Sequence, residues 1–306
     1  MSIVRTTPSS GVSFLVAAGI LWGTGGLFGR MLGDATGLSA AAVATYRLAV
    51  GGLLLVAYLL VKGAPLPRSR TAWARIAAVG ALAALFQVAY FTAVSFTSVS
   101  VATLVTIGSS PVLVLIARPR SADRRGLVAV GLALCGLVLL VGVPADGGPS
   151  AGAVVAGAAF ALVAAAGFTV MSLLGARPVP SLDAMTTTGI GFTVGGALLA
   201  PLAVTTSGLA FAPTPTAFGL LLAFGLVPTA VAYTCYFRGL RTAAAGVGVL
   251  MALLEPVTSA VLSAVLLGDR LGASGIAGGL LLCGALVLTA GVPRRAAPGQ
   301  RGERTS

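Results

Sequence analysis

Few residues in this 306-residue chain could do chemistry, and almost everything around them is apolar. Glu255 sits in Val249-Leu-Met-Ala-Leu-Leu-Glu-Pro-Val-Thr258, near the centre of an apolar run over roughly 246–267. At about 1.5 Å of rise per residue, its carboxylate falls near the bilayer midplane if that run spans. A charge there is costly and is by default a functional candidate. It could take up a proton, pair with a cationic substrate, or couple the two; alternatively it is a structural acid hydrogen-bonded to a neighbouring helix. Pro256 beside it removes a backbone donor and predicts a kink or opening. Arg47 lies about seven residues into a second apolar run, ~10 Å below one surface. Its planar fork could bind a carboxylate or phosphate bidentately, or pair with Glu255. From that depth it can also snorkel to the interface.

Ile107-Gly-Ser-Ser-Pro111 echoes the Glu255-Pro256 element, with Ser110 where the acid would stand. Trp22 and Tyr90 are the other candidates for a polar cavity. Tyr236, near the end of its run, reads as an interface anchor. Cys135, Cys235 and Cys283 fall inside apolar runs with no paired spacing, as buried small hydrophobes do. The chain has no histidine, which excludes His-ligated metal sites and His-based triads. It also lacks a G-x-x-x-x-G-K-[ST] loop for ATP. No catalytic residue, metal or cofactor is expected.

The elements that position these residues are membrane helices. Hydrophobic residues make up 57% of the chain and charged ones 8%, with a mean hydropathy of +1.04. A soluble domain carries about a quarter charged residues, so this is an all-α integral membrane protein. Forty-two glycines suit close helix contact in lipid, although a GC-rich genome would enrich them too. Ten apolar runs are long enough to span, near 12–32, 40–61, 73–94, 99–117, 126–143, 152–176, 184–206, 216–237, 246–267 and 272–292. Only Phe96 to Ser100 separates the third from the fourth. Small pairs such as Gly191/Gly195 and Gly275/Gly279 read as packing faces.

A net charge of +12 would point to nucleic acid in a soluble protein, but here the cations sit at span ends and nucleic acid is excluded. With the N-terminus cytoplasmic, the inside segments hold Arg5, Lys62, Arg68, Arg70 and Arg75. They also hold Arg118, Arg120, Arg124, Arg125, Arg177, Arg238 and Arg241, and the tail arginines 294, 295, 301 and 304. Outside are only Arg30 and Arg270. The positive-inside rule therefore predicts both termini in the cytoplasm.

The chain also repeats itself. Tyr90-Phe91 and Pro111 match Tyr236-Phe237 and Pro256, Leu134-Cys-Gly136 matches Leu282-Cys-Gly284, and Asp123-Arg124 matches Asp269-Arg270. Gly51-Gly52-Leu-Leu-Leu55 resembles Gly195-Gly196-Ala-Leu-Leu199. These pairs keep one order and a spacing of 144–148 residues. Five spans per half, an odd number, make the second half enter the membrane inverted. The halves are 1–143 and 144–293, with a basic cytoplasmic tail over 294–306. Pro111 and Pro256 are then symmetric helix breaks flanking a central site.

Leu21-Trp22-Gly23, Tyr46-Arg47-Leu48, Ser110-Pro111, Leu254-Glu-Pro-Val257 and Gly268-Asp-Arg-Leu271 together resemble the EamA-type branch of the drug/metabolite transporter superfamily, over about 12–292. The resemblance implies two five-helix halves, a central cavity and alternating access in the plasma membrane. It transfers no fixed substrate residues, and the basic stretch Ala117–Arg125 departs from the family's usual apolar-Gly-Glu-Arg-Leu stretch. The function expected is secondary transport, as an exporter of small organic metabolites or drug-like compounds, driven by protons or by the substrate's own gradient. The alternative is a membrane-embedded enzyme or lipid-handling protein acting on lipid-linked substrates. No oligomeric state is assigned.

Overall fold

A computed structural model describes residues 10–119, 123–141, 150–206, 208–266 and 272–290. Arg5, Arg120, the Gly268–Leu271 motif with Asp269 and Arg270, and the basic tail lie outside the described residues. The described residues form α1 (Ser10–Gly23), α2 (Gly25–Thr36), α3 (Ala40–Val61), α4 (Arg70–Phe96), α5 (Val99–Ala117), α6 (Arg124–Val141) and α7 (Ala151–Gly175). They continue as α8 (Ala184–Thr206), α9 (Pro215–Gly225), α10 (Ala232–Leu240), α11 (Ala245–Met251), α12 (Leu254–Leu266) and α13 (Ala273–Ala290). A π-helical turn, Leu226–Val231, joins α9 to α10. Among the described residues, seven segments are long and apolar enough to cross a membrane: Gly11–Thr36, Ala40–Val61, Arg70–Phe96, Ala151–Gly175, Ala184–Thr206, Pro215–Leu240 and Ala245–Leu266. Shorter apolar stretches are Val101–Ala117 and Ala273–Thr289.

The helix starts are written locally. Ser39, Ser69, Ser98, Ser150 and Thr214 each accept the backbone N–H three residues on, which satisfies one of the orphan donors of a helix N-terminus. Asp123 and Asp183 do the same for α6 and α8, at 2.7 and 2.6 Å. Within the helices, Thr45, Ser172, Thr188 and Thr289 donate to the carbonyl four residues back, so their hydroxyls are satisfied without water. Many large apolar side chains, including Leu60, Val155 and Val287, lie exposed on the outside, as lipid-facing residues must.

Packing follows the duplication. α3 lies along α8, and α6 along α13; each pair joins counterparts from the two halves. α4 packs on α7 as α10 packs on α1, and α4 packs on α8 as α9 packs on α3. Exchanging the halves leaves this pattern unchanged. At the α3–α8 contact, a Cβ on Gly52 would lie 2.8 Å from the Gly189 carbonyl and 2.6 Å from the Thr193 hydroxyl; one on Gly196 would meet the backbone of Ala49 at 2.7 Å. Those two approaches are images of each other, and neither position has room for a side chain. α6 and α13 cross just as closely at Gly136 and Gly278. Sequence pairing of Gly275 with Gly279 misses this contact, because Gly278 is in it and a Cβ on Gly279 would meet nothing within 4 Å.

Three expectations change. Pro111 does not break its helix: α5 runs through it, with Ser110 Oγ donating to the Thr106 carbonyl at 3.0 Å and the Ser110 carbonyl accepting from Thr169. The second-half break lies at Ala252–Leu253, one turn before Pro256. Pro256 has no N–H for the Ala252 carbonyl, and the Glu255 N–H bonds it instead at 3.0 Å, which tightens the turn. Cys135 and Cys283 are exposed on the outer surface, where a thiol meets lipid at little cost, and only Cys235 is partly buried.

Candidate functional site

A cavity of about 650 Å³ lies between the halves. Its mouth is at the α2–α3 junction, beside the exposed ion pair Arg30–Asp34 (3.8 Å), and at the start of α5. Its floor is aromatic. Trp22 of α1, Phe168 of α7 and Tyr233 of α10 line it, backed by Tyr236 of α10; Trp22 lies 4.8 Å from each tyrosine ring, edge to face or tilted, and Phe168 stacks on Tyr236 at 5.6 Å. Below the floor, Tyr236 bonds Ser172 at 2.7 Å, tying α10 to α7. Ser172 spends its own proton on the Phe168 carbonyl, so Tyr236 is the donor. Tyr236 is therefore no interface anchor; it is fully buried because Ser172 supplies the partner that water would otherwise give. Further down, Arg75 donates to the carbonyls of Leu174 and Arg177, and Arg241 to that of Leu182.

Trp22, Arg47, Tyr90, Ser110 and Glu255 all line this one cavity, although they come from five different helices; Pro111 and Pro256 do not line it. Arg47 turns inward rather than snorkelling. Its Nε donates to Thr229 Oγ1 at 3.3 Å, its Nη2 to the Pro228 carbonyl at 3.5 Å, and its guanidinium carbon is 5.4 Å from the Phe224 ring centre. Arg47 and Glu255 share the cavity without an ion pair within 4.0 Å. Tyr90 bonds Thr103 at 2.7 Å and stacks on Phe86 at 6.1 Å. Ser110 is buried with its hydroxyl committed to its own helix.

Three participants escaped the reading of the sequence. Gln87 lines the cavity at 3% exposure; a lone amide inside a 27-residue apolar helix was the available signal. Phe224 and the Pro228-Thr229 turn carried no signal of their own, because their role depends on a side chain 180 residues away. α1 and α2 part at Thr24, whose hydroxyl bonds the Leu21 carbonyl at 2.7 Å amid glycines that weaken the helix.

The arrangement can enclose a small organic solute, with an apolar floor, Arg47 and Glu255 inside and the Arg30–Asp34 pair at the mouth. Among the described residues no group of His, Cys, Asp or Glu could hold a metal.

Comparison with known proteins agrees with this shape. Residues 9–142 and again 155–291 match the EamA-like transporter family. An uncharacterized transporter of Bacillus subtilis (strain 168), YwfM, is 29% identical over 290 residues, covering 92% of this chain and 94% of its own. A solved crystal structure of a protein superposes with a TM-score of 0.77 over 92% of this chain and 99% of its own at 21% identity, a likeness of fold alone.

Proposed function

The chain belongs to the EamA-like transporter family, and on that footing we propose that it is a secondary carrier exporting small organic solutes by alternating access. It does so from the plasma membrane, with ten spans in two inverted halves (1–143 and 144–293) and both termini cytoplasmic. The observation that carries this reading is the cavity between the halves, with the exposed pair Arg30–Asp34 at one end and the aromatic cluster of Trp22, Phe168 and Tyr233 at the other. In the orientation that the arginines favour, the mouth faces outward and the Arg75 and Arg241 ties seal the cytoplasmic end.

Symmetry supplies the second state. A pattern of contacts unchanged by exchanging the halves supports an equivalent arrangement with the mouth on the other side. Glu255 is the coupling group in this scheme, exchanging a proton with the cavity as solute enters or leaves. Trp22, Tyr90 and Ser110 shape the wall, and no cofactor takes part.

Purified protein in liposomes tests the proposal with a broad panel of labelled metabolites, with and without an imposed pH gradient. Flux above protein-free vesicles, enhanced by the gradient, is expected. No flux for any member sinks the carrier reading; flux indifferent to the gradient removes Glu255 from coupling and leaves the carrier.

A further inference from the structure

Arg47 is seated without an ion pair. Its three partners, the Thr229 hydroxyl, the Pro228 carbonyl and the Phe224 ring, are all uncharged, and among the described residues no carboxylate lies within 4.0 Å. The seat is specific in its wiring. Pro228 has no N–H to offer the Phe224 carbonyl, and Thr229 Oγ1 donates there at 3.0 Å, leaving its lone pairs for the Arg47 Nε–H. Two of the five guanidinium donors are occupied, and the others remain for a ligand.

The seat is also a departure from the internal symmetry. Gly80 packs on Gly195 as Gly225 packs on Gly51, so these contacts are equivalent. From Gly80 to Tyr90 the helix is regular, but from Gly225 to its counterpart Tyr236 the chain is one residue longer. The extra residue is taken up in the π-helical turn Leu226–Val231, which carries Pro228 and Thr229. At the position matching Arg47, the other half has Gly191. Thus the cation and the distorted turn that holds it occur together in one half and are both absent from the other; π turns inside α-helices favour functional sites.

Two further polar groups at the cavity have no partner of their own. Gln87, 97% buried (3% exposed), lines it with no hydrogen-bond partner for its amide among the described residues. The indole Nε1 of Trp22, in the floor, is likewise buried without an acceptor. We infer that Arg47 is the anion-binding group of this cavity and that the solute carried is a small organic carboxylate. Its carboxylate docks on the free guanidinium donors within reach of Gln87, and its apolar body lies against the aromatic floor. This rests on the transporter reading and adds the substrate class to it. Glu255, in the same cavity, opposes the anion.

Isothermal titration of the full-length purified protein with three probes of one shape tests it: 3-phenylpropanoate, 3-phenylpropanamide and 3-phenylpropylamine. The acid is expected to bind at least about tenfold tighter than the isosteric amide, the scale of a charged hydrogen bond. Arg47→Gln brings acid and amide within about threefold while amide affinity holds, and Glu255→Gln preserves or widens the preference for acid. Thr229→Val, which keeps the cation and removes its seat, narrows the preference and decides the matter if Arg47→Gln does not fold. Absence of acid binding, equal or tighter binding of amide or amine, or an unchanged preference in Arg47→Gln and Thr229→Val overturns the inference. Such a failure is separate from failure of the carrier reading, which is judged by flux across the broad panel.

Discussion

Ser172→Ala should destabilise the protein more than Tyr236→Phe, although both delete the same hydrogen bond. The difference follows from the direction of the protons. Ser172 Oγ donates to the Phe168 carbonyl at 2.7 Å, so Tyr236 must donate across the 2.7 Å contact to Ser172. Tyr236→Phe removes that donor and leaves Ser172 still bonded to its own helix, a loss of about 1 kcal/mol, the net worth of one hydrogen bond. Ser172→Ala strands a fully buried phenol, which costs about 1–3 kcal/mol in desolvation. The double variant has no stranded donor and should recover to near Tyr236→Phe alone. Since roughly 1.4 kcal/mol is tenfold in an equilibrium, the single serine change should also favour a conformation open at this end by up to one or two orders of magnitude. The assay is thermal unfolding of the four purified proteins in one detergent, read as a double-mutant cycle. Equal losses in the two single variants, or a double variant less stable than Ser172→Ala, would refute the proton assignment.

Gly52→Leu and Gly196→Leu should abolish monodisperse protein in detergent, measured by size-exclusion chromatography, because a Cβ there meets backbone within 3 Å; Gly284→Ala, with open space, should behave as wild type within about 0.5 kcal/mol. Glu255→Gln should retain exchange of solute across liposomes and lose accumulation driven by a pH gradient; retained gradient-driven accumulation would exclude it as the coupling group. Reporters fused to the C-terminus should be active only in the cytoplasm, and periplasmic activity would reverse the proposed orientation.

Seven spans among the described residues were legible because apolar length is a property of a segment by itself. The duplication was legible as well, since spaced identities such as Gly51-Gly52 and Gly195-Gly196 mark a contact that both halves make. Proline was the poorer guide. Pro111 is accommodated in a continuous helix, Pro256 lies a turn beyond the break it causes, and Pro228 shapes a π turn. Each outcome depends on which neighbouring group takes the carbonyl left without a donor, and that group is chosen by tertiary contact. The inward turn of Arg47 was illegible for the same reason. Snorkelling and seating differ only in the presence of Phe224 and Thr229, far along the chain.

The pairing of α6 with α13 has a consequence for how the protein is made. α13 is the last described helix to leave the ribosome, and the face it fills on α6 was synthesised well over a hundred residues earlier. Until α13 arrives, the groove around Gly136 stands open in the lipid. Assembly of this contact therefore waits for α13. A nascent chain cut short before residue 273 presents an unfilled helix face that membrane quality control can recognise.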